Sequence, residues 1–566
     1  MESKNTYNEM KDIQSINDLN EYCYEVSSDA DIPFYIAGIL NIQENEYEKG
    51  LDFMMKDRDF AILYQVFVAL FKYVQEHGSS SFVFLIEENY VDKVYRDSYY
   101  FFFSGKHFSY NRFCKRVFLF AHAFDESLLD FTAMDLQEKF VGSIVIRPIP
   151  GRAVGRTLLD PKYFLGDNLA YVRWAAYSVM VSGKKLSICA FPYSMQDGET
   201  TACAEITILN LLDYFSQSYP EYHYLLPSDI NRIAQENGYE RSLPTHGLKY
   251  EVVSKAFCES GFYPRLYSSG EMPTDKLRRI LYYYIESGIP LALGVTMETN
   301  NKHSVIVIGH GKVNVDRQNF NQCYDCYDKK SQNILWVYDS SDNINELCVM
   351  DDSQIPYKLM ECRINDSKRL LLGNYVIETV VVPLYKKMYL EASDASEIFK
   401  VILASQEFGF PKSEFKHKEA CEGINISAKD GTCLGTKDNP LVVRIFMTSS
   451  RSLRKCRDEQ FSKGNEEVRS WYRTTVFPKF IWVCELSVVD KYKEEVIGEI
   501  ILDATSSADA YADSLIIAHY PWSIFCKLPQ DIQKLEDQDD SNMHEIREWK
   551  PFQPYDSNLY LVSDNE

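Results

Sequence analysis

Apolar residues along the chain follow two periods. From Phe60 to Val74 (FAILYQVFVALFKYV) they crowd at helical spacing and stop before His77-Gly78, which predicts a largely buried helix. Shorter runs at Ser81 to Leu85, Tyr99 to Phe103, Val117 to Phe120 and Val141 to Arg147 are rich in β-branched and aromatic residues. They predict strands. Ala170 to Val181 is a further strand or helix candidate, and residues 1–58 are polar with short helical pieces. Residues 1–185 therefore read as an N-terminal α+β domain.

In the middle of the chain a loop, FPYSMQDGET, leads into a run with Ile206, Ile208, Leu209, Leu212 and Phe215 at helical spacing. Thr200 or Thr201 is the expected N-cap, which puts Cys203 in the first turn. A second helix ends near Ile285, and a turn at Gly288-Ile289-Pro290 precedes a buried strand, Leu291 to Val295. A polar loop, METNNK, then leads to His303 and the strand SVIVIG, ending at Gly309. After a polar insertion, ILWVYDSSDN predicts a strand ending at Asp339. These features span a central domain, 186–390.

The last domain, 391–566, opens with a helix at 393–407, where Asp394 and Glu397 have capping-box spacing. A loop-rich connector at 408–439 follows. Strands are expected at Leu441 to Met447, Phe480 to Val489, Ile497 to Asp503 and Leu515 to His519, with a mobile acidic tail segment at Gln530 to Glu545. The expected fold class is α+β, in three domains, the last β-rich. A length of 566 residues agrees, since domains run to about 100–200 residues each.

Charge narrows the partners. The formal net charge is −22, and an acidic surface repels phosphate backbones, so nucleic acid is not expected. The start, MESKNTYNEMKDIQSINDLNE, has no basic region followed by an apolar one, and apolar stretches are too short or interrupted to span a bilayer. A cytoplasmic protein without a membrane partner is expected. Its 14 Cys should then be mostly reduced and buried. The close pair Cys323 and Cys326 has no second pair or nearby His, so it reads as part of a polar loop rather than a zinc site.

Three other motifs read as structural. In GSIVIRPIPGRAVGRTLLDP, three residues separate Gly151 from Gly155, and Arg156-Thr157 stands where a phosphate loop needs Lys-Ser/Thr, so a turn is expected. A charged helix bearing Arg451, Arg454, Lys455 and Arg457 reads as a solvated face, with an acidic partner as the sharper alternative. His310 is expected on the opposite sheet face from His303, and His246 in a loop or helix start near the cleft. With no HExxH, EF-hand or dinucleotide fingerprint, neither a metal nor a cofactor is expected.

The chemistry converges on Cys203. Unpaired N–H groups and the dipole at a helix N-terminus stabilise a thiolate, and a nearby imidazolium does so further. Gln196, seven residues earlier, is placed to aim a side-chain N–H at a developing oxyanion, beside the backbone N–H of Cys203. His303 opens a buried strand, a rigid platform for a base. Asp339 ends a strand that is expected to pair nearby and orient the ring; Asp342 or Asn343 are the alternatives if that strand runs on.

Gln-loop-Cys at a helix start, then G-x-P-strand, His opening V-I-V-I-G, and strand-Asp resembles the C39-like (bacteriocin-processing) branch of papain-fold cysteine peptidases, over roughly residues 186–345. The resemblance implies cleavage of a peptide or isopeptide bond through a thioester. Cys203 is then the nucleophile, His303 the general base and acid, Asp339 the orienter and Gln196 the oxyanion donor. A protein or peptide substrate follows, with the flanking domains available to recognise it or to hold a regulatory protein.

The chain departs from that pattern in three places. Ala204 stands where Gly usually follows the Cys, Ser340 where Pro usually follows the Asp, and Lys312 to Asn333 lengthens the His-to-Asp link. Two other readings use the same residues: acyl transfer to an amine, and a catalytically degenerate binding or sensor module in a larger assembly.

Overall fold

The structure is a computed structural model that describes residues 23–122, 132–165, 169–238, 242–313, 323–327, 334–405, 408–410, 434–435, 440–462, 464–507, 511–521, 523–527, 543–547 and 549–562. It is α+β, with three large sheets and a separate hairpin of Ala175–Val181 with Lys184–Ala190.

The first sheet is antiparallel and runs Cys23–Val26, Phe82–Tyr90, Cys114–Phe120, Phe140–Ile146 and Val154–Leu159, in that order. Against it lies the helix Arg58–Glu76, whose start is capped by Asp57 accepting from the Phe60 N–H at 3.0 Å. Its inward residues, among them Ile62, Val66, Phe67 and Leu70, are buried, as helical spacing predicts. The aromatic run at Tyr99 to Phe103 is not a strand. Lys93–Phe101 is a helix, because Asp92 caps it by accepting from the Tyr95 N–H at 2.8 Å. The glycine-rich stretch after Ile146 is a turn, with Gly151 at φ +71. Buried Asp59 holds its exit by accepting from the Ala153 and Val154 N–H groups at 2.6 and 3.0 Å.

The second sheet closes on itself. Leu291–Thr296 pairs with Lys302–Gly311 on one side and Tyr375–Val382 on the other. Leu370–Leu372, Lys358–Ile364 and Glu346–Met350 complete the ring back to Lys302–Gly311, every pairing antiparallel. Strands from outside 186–390 extend this sheet: Ala170–Val172 pairs with Lys302–Gly311, and Tyr560–Val562 pairs with Ala170–Val172. The helix Cys203–Ser218 packs against Lys302–Gly311 and is buried along almost all its length, from Ala204 to Phe215.

The third sheet carries Leu441–Ser449, Phe480–Val488, Gly498–Asp503 and Leu515–Tyr520 at its centre. It also captures Cys323–Tyr327 and Ile334–Asp339 from within the central stretch, the latter pairing parallel with Leu441–Ser449. The Cys323 and Cys326 backbones therefore lie in a strand; their side chains, like most of the 408–439 connector and of the Gln530 to Glu545 tail, fall outside the described residues. The helix expected at 393–407 is Ala392–Ala404, and its N-cap is Glu391 with no side-chain bond, so the Asp394 and Glu397 box is not formed. Arg457 leaves the expected basic face: it is fully buried, bonded to Glu499 and Glu485. Among the described residues no helix is long and apolar enough to cross a membrane.

Candidate active site

The loop before the central helix is held by one carboxylate. Buried Asp197 accepts from the N–H groups of Glu199, Thr200 and Thr201 at 2.8, 2.7 and 2.9 Å, and its own N–H donates to Thr201 Oγ1 at 3.1 Å. The two threonines are thus loop anchors. The N-cap is Ala202, whose N–H donates to Glu205 Oε2 at 3.2 Å. Cys203 is the first residue of the helix, a half-buried free thiol beside the positive end of a sixteen-residue dipole.

The strand Lys302–Gly311 brings His303 opposite Val295 and packs against that helix. The His303 ring lies beside the Cys203 side chain, which favours the protonated ring. On its other side, Nε2 lies 2.9 Å from Asp351 Oδ1 and 3.5 Å from Asp352 Oδ1. Asp351 follows directly on Glu346–Met350, whose Met350 pairs with Ile306, and this register sets the carboxylate beside the strand end that carries His303.

Asp351 is itself fixed. Ser353 donates to Oδ1 through its N–H at 2.9 Å and its hydroxyl at 2.7 Å, while Tyr375 Oη and Gln354 Nε2 donate to Oδ2 at 2.8 and 3.2 Å. Burial alone would raise its pKa, but the bonds to His303 and Ser353 and the imidazolium charge lower it to about 2. For His303 burial works against protonation, and the bonds to Asp351 and Cys203 with the charges of both aspartates override it, raising the pKa to about 10. Both shifts favour a charged ring paired with the Asp351 carboxylate.

Asp339 is not at the site. The insertion after Gly311 carries Ile334–Asp339 out of the closed sheet and into the third one, where the Asp339 carboxylate accepts from Tyr283 Oη and, at 3.0 Å, from the Ser341 N–H. The alternative Asp342 sits beside Arg279 at 3.8 Å, also away from His303. The carboxylate bonded to the His303 ring is that of Asp351. Its only local signal was a second strand-then-Asp pattern, LCVMD, with the same form as WVYD.

Gln196 is half-buried in the loop, and its backbone N–H faces the Asp352 carboxylate, which ties the loop before Cys203 to the turn after Met350. Arg58, from the first-sheet helix, donates to the Asp352 carbonyl at 3.3 Å. His246 lies in the loop beside the helix start, one residue past Thr245, whose hydroxyl donates to Glu205. His310, at the far end of the His303 strand, is buried with Nε2 at 3.0 Å from Glu286.

His303, Asp351 and Asp352 each offer a ligand atom, all within 4.8 Å of one another, so their geometry also suits a divalent cation. A cation there would have to displace the Nε2 proton, which a pKa of about 10 holds strongly at neutral pH. No protein-family model matches the chain, and a comparison with curated proteins finds no match either.

Proposed function

We propose that the chain is a cysteine peptidase, with Cys203 as nucleophile, His303 as general acid and base, and Asp351 as the group that orients and charges the ring. The observation that carries this reading is the series Cys203–His303–Asp351: a thiol on a helix N-terminus, beside an imidazole whose Nε2 is 2.9 Å from a buried carboxylate. With Nε2 engaged by Asp351, the other ring nitrogen is the one that exchanges a proton with sulfur.

The chemistry follows from that pairing: Cys203 gives its proton to the His303 ring, and its sulfur attacks a peptide carbonyl and forms a C–S bond. The negative charge that develops on oxygen is met by the Cys203 backbone N–H and by Gln196 from the preceding loop. His303 then gives its proton to the departing amine, which leaves a thioester and a neutral imidazole. The imidazole takes a proton from water as the water attacks, the C–S bond breaks, and the acid product leaves with the thiolate–imidazolium pair restored.

Incubating the full chain with a diverse peptide mixture and reading new termini by mass spectrometry tests this. Cleavage is expected with the wild-type chain and not with Cys203→Ala or His303→Ala. Equal cleavage by the Cys203→Ala chain would overturn the proposal. So would a wild-type product carrying an amine adduct instead of the elements of water, the signature of acyl transfer.

A further inference from the structure

The helix Ser450–Phe461 and the helix Glu466–Thr474 pack together in the third-sheet region and leave a hollow of about 470 Å³ between them and the segment that follows. Its walls carry Arg451, Arg454, Lys455 and Arg473 against a single carboxylate, Asp458. That carboxylate is already committed: Arg469 Nε donates to it at 2.9 Å and Arg473 Nη2 at 3.0 Å. Arg451, Arg454 and Lys455 have no carboxylate partner among the described residues, in a chain whose net charge is −22. Arg451 and Lys455 are exposed and make no ion pair among the described residues.

Arg454 is set in advance. Its Nη2 donates to the Thr475 carbonyl at 2.7 Å, and its guanidinium lies 4.9 Å over the Phe477 ring, which forms part of the wall. The same hollow receives the start of a twelve-residue helix, lined by Ser450, so the helix dipole adds positive potential to the three side chains.

We propose that this hollow binds an organic phosphate of about mononucleotide size. Arginine forks match phosphate oxygens two at a time, and a compact dianion gains more from three cations lining one hollow than a flexible carboxylate does. The volume lies within the range of about 300–1,000 Å³ typical of small-molecule sites and leaves room for an organic group against Phe477. The proposal is independent of the chemistry at Cys203.

Calorimetric titration of the full-length Cys203→Ala chain with AMP, inorganic phosphate and adenosine is the test. AMP is expected to bind saturably at one site, inorganic phosphate to compete with it more weakly, and adenosine not to bind. Because Arg451 and Lys455 are exposed, the double variant Arg451→Glu/Lys455→Glu should keep the wild-type unfolding midpoint and lose AMP affinity by about tenfold or more. Phe477→Leu should weaken AMP while leaving phosphate unchanged. Lys479→Glu, outside the hollow, should change neither. Absence of saturable AMP and phosphate binding would overturn the proposal, as would binding that survives the double charge reversal. Binding of hexaglutamate with no binding of either phosphate would also overturn it, in favour of an acidic peptide ligand.

Discussion

His303 and Asp351 stand 48 residues apart in sequence and 2.9 Å apart in space. Between them the chain leaves the closed sheet, contributes two strands to the third sheet, and returns through Glu346–Met350. The closed sheet that carries His303 thus encloses an excursion that pairs into the neighbouring sheet. Asp339, at the far end of that excursion, should be a stability residue and Asp351 a reactivity residue.

Alkylation of Cys203 by iodoacetamide at neutral pH, followed by peptide mapping, separates the two. Asp351→Ala should slow the reaction by at least about tenfold, since the ring loses both its orienter and its counter-charge. Asp339→Ala should leave the rate unchanged and lower the unfolding free energy by about 1–3 kcal/mol, because buried Tyr283 Oη loses its acceptor. The reverse pattern would restore Asp339 to the site.

The shifted titrations give a pH signature. An unfolded imidazole titrates near 6.5, while His303 in the fold titrates near about 10. A raised pKa contributes stability that is full below 6.5 and is lost as pH rises toward about 10. The difference in unfolding free energy between wild type and His303→Gln should therefore shrink from pH 6.5 to pH 10. Asp351 acts in the opposite direction: lowered from 3.8 to about 2, it contributes stability above 3.8 that is lost as pH falls through about 2. A wild-type-minus-variant difference that stays level between pH 6.5 and 10 would remove the imidazolium from the account.

Local patterns were legible in the sequence and non-local choices were not. The helix from Cys203 and the strand opening at His303 rest on spacing within ten residues, and both stand where the periodicity puts them. WVYD and LCVMD carry the same local pattern; only the sheet that captures each strand decides which aspartate meets the histidine. Tyr99 to Phe103 misled because aromatic residues suit strands, whereas one cap, Asp92, commits the segment to a helix. Arg457 shares a helix with three outward-facing cations and turns inward because Glu485 and Glu499 wait on the adjacent strands.

That last group is a stability element. Arg457 is fully buried, donating to Glu485 Oε1 at 2.6 Å and Glu499 Oε2 at 2.7 Å, and Tyr472 Oη donates to Glu499 Oε1 at 2.6 Å. Arg457→Met leaves Glu499 buried without its cation and Glu485 with Arg444 alone, and should cost about 3–5 kcal/mol. Tyr472→Phe removes one neutral donor and should cost less, about 0.5–1.5 kcal/mol. Urea unfolding followed by tryptophan fluorescence measures both, and a smaller loss for Arg457→Met than for Tyr472→Phe would contradict the assignment of Arg457 as the hub.

Gly309 tests how the N-terminal and C-terminal segments are joined to the site-bearing strand. It pairs with Val172, and a Cβ on it would lie 2.0 Å from the Tyr171 carbonyl oxygen and 2.8 Å from Val172 Cα. Both neighbours are backbone, so neither can rotate away, and Gly309→Ala must push Ala170–Val172 off the strand. That segment also holds Tyr560–Val562, so both outer strands of the sheet should loosen together. The expected cost is about 1–3 kcal/mol, the size of an overpacked contact. Faster amide exchange should appear at Val172 and Tyr560. His303 lies six residues away, at the other end of the strand, so the Cys203 alkylation rate should hold at the wild-type value. A variant with wild-type stability would mean the Ala170–Val172 strand is not seated against Gly309, whereas a lost alkylation rate in a folded variant would mean that the strand transmits its distortion to the end that carries His303.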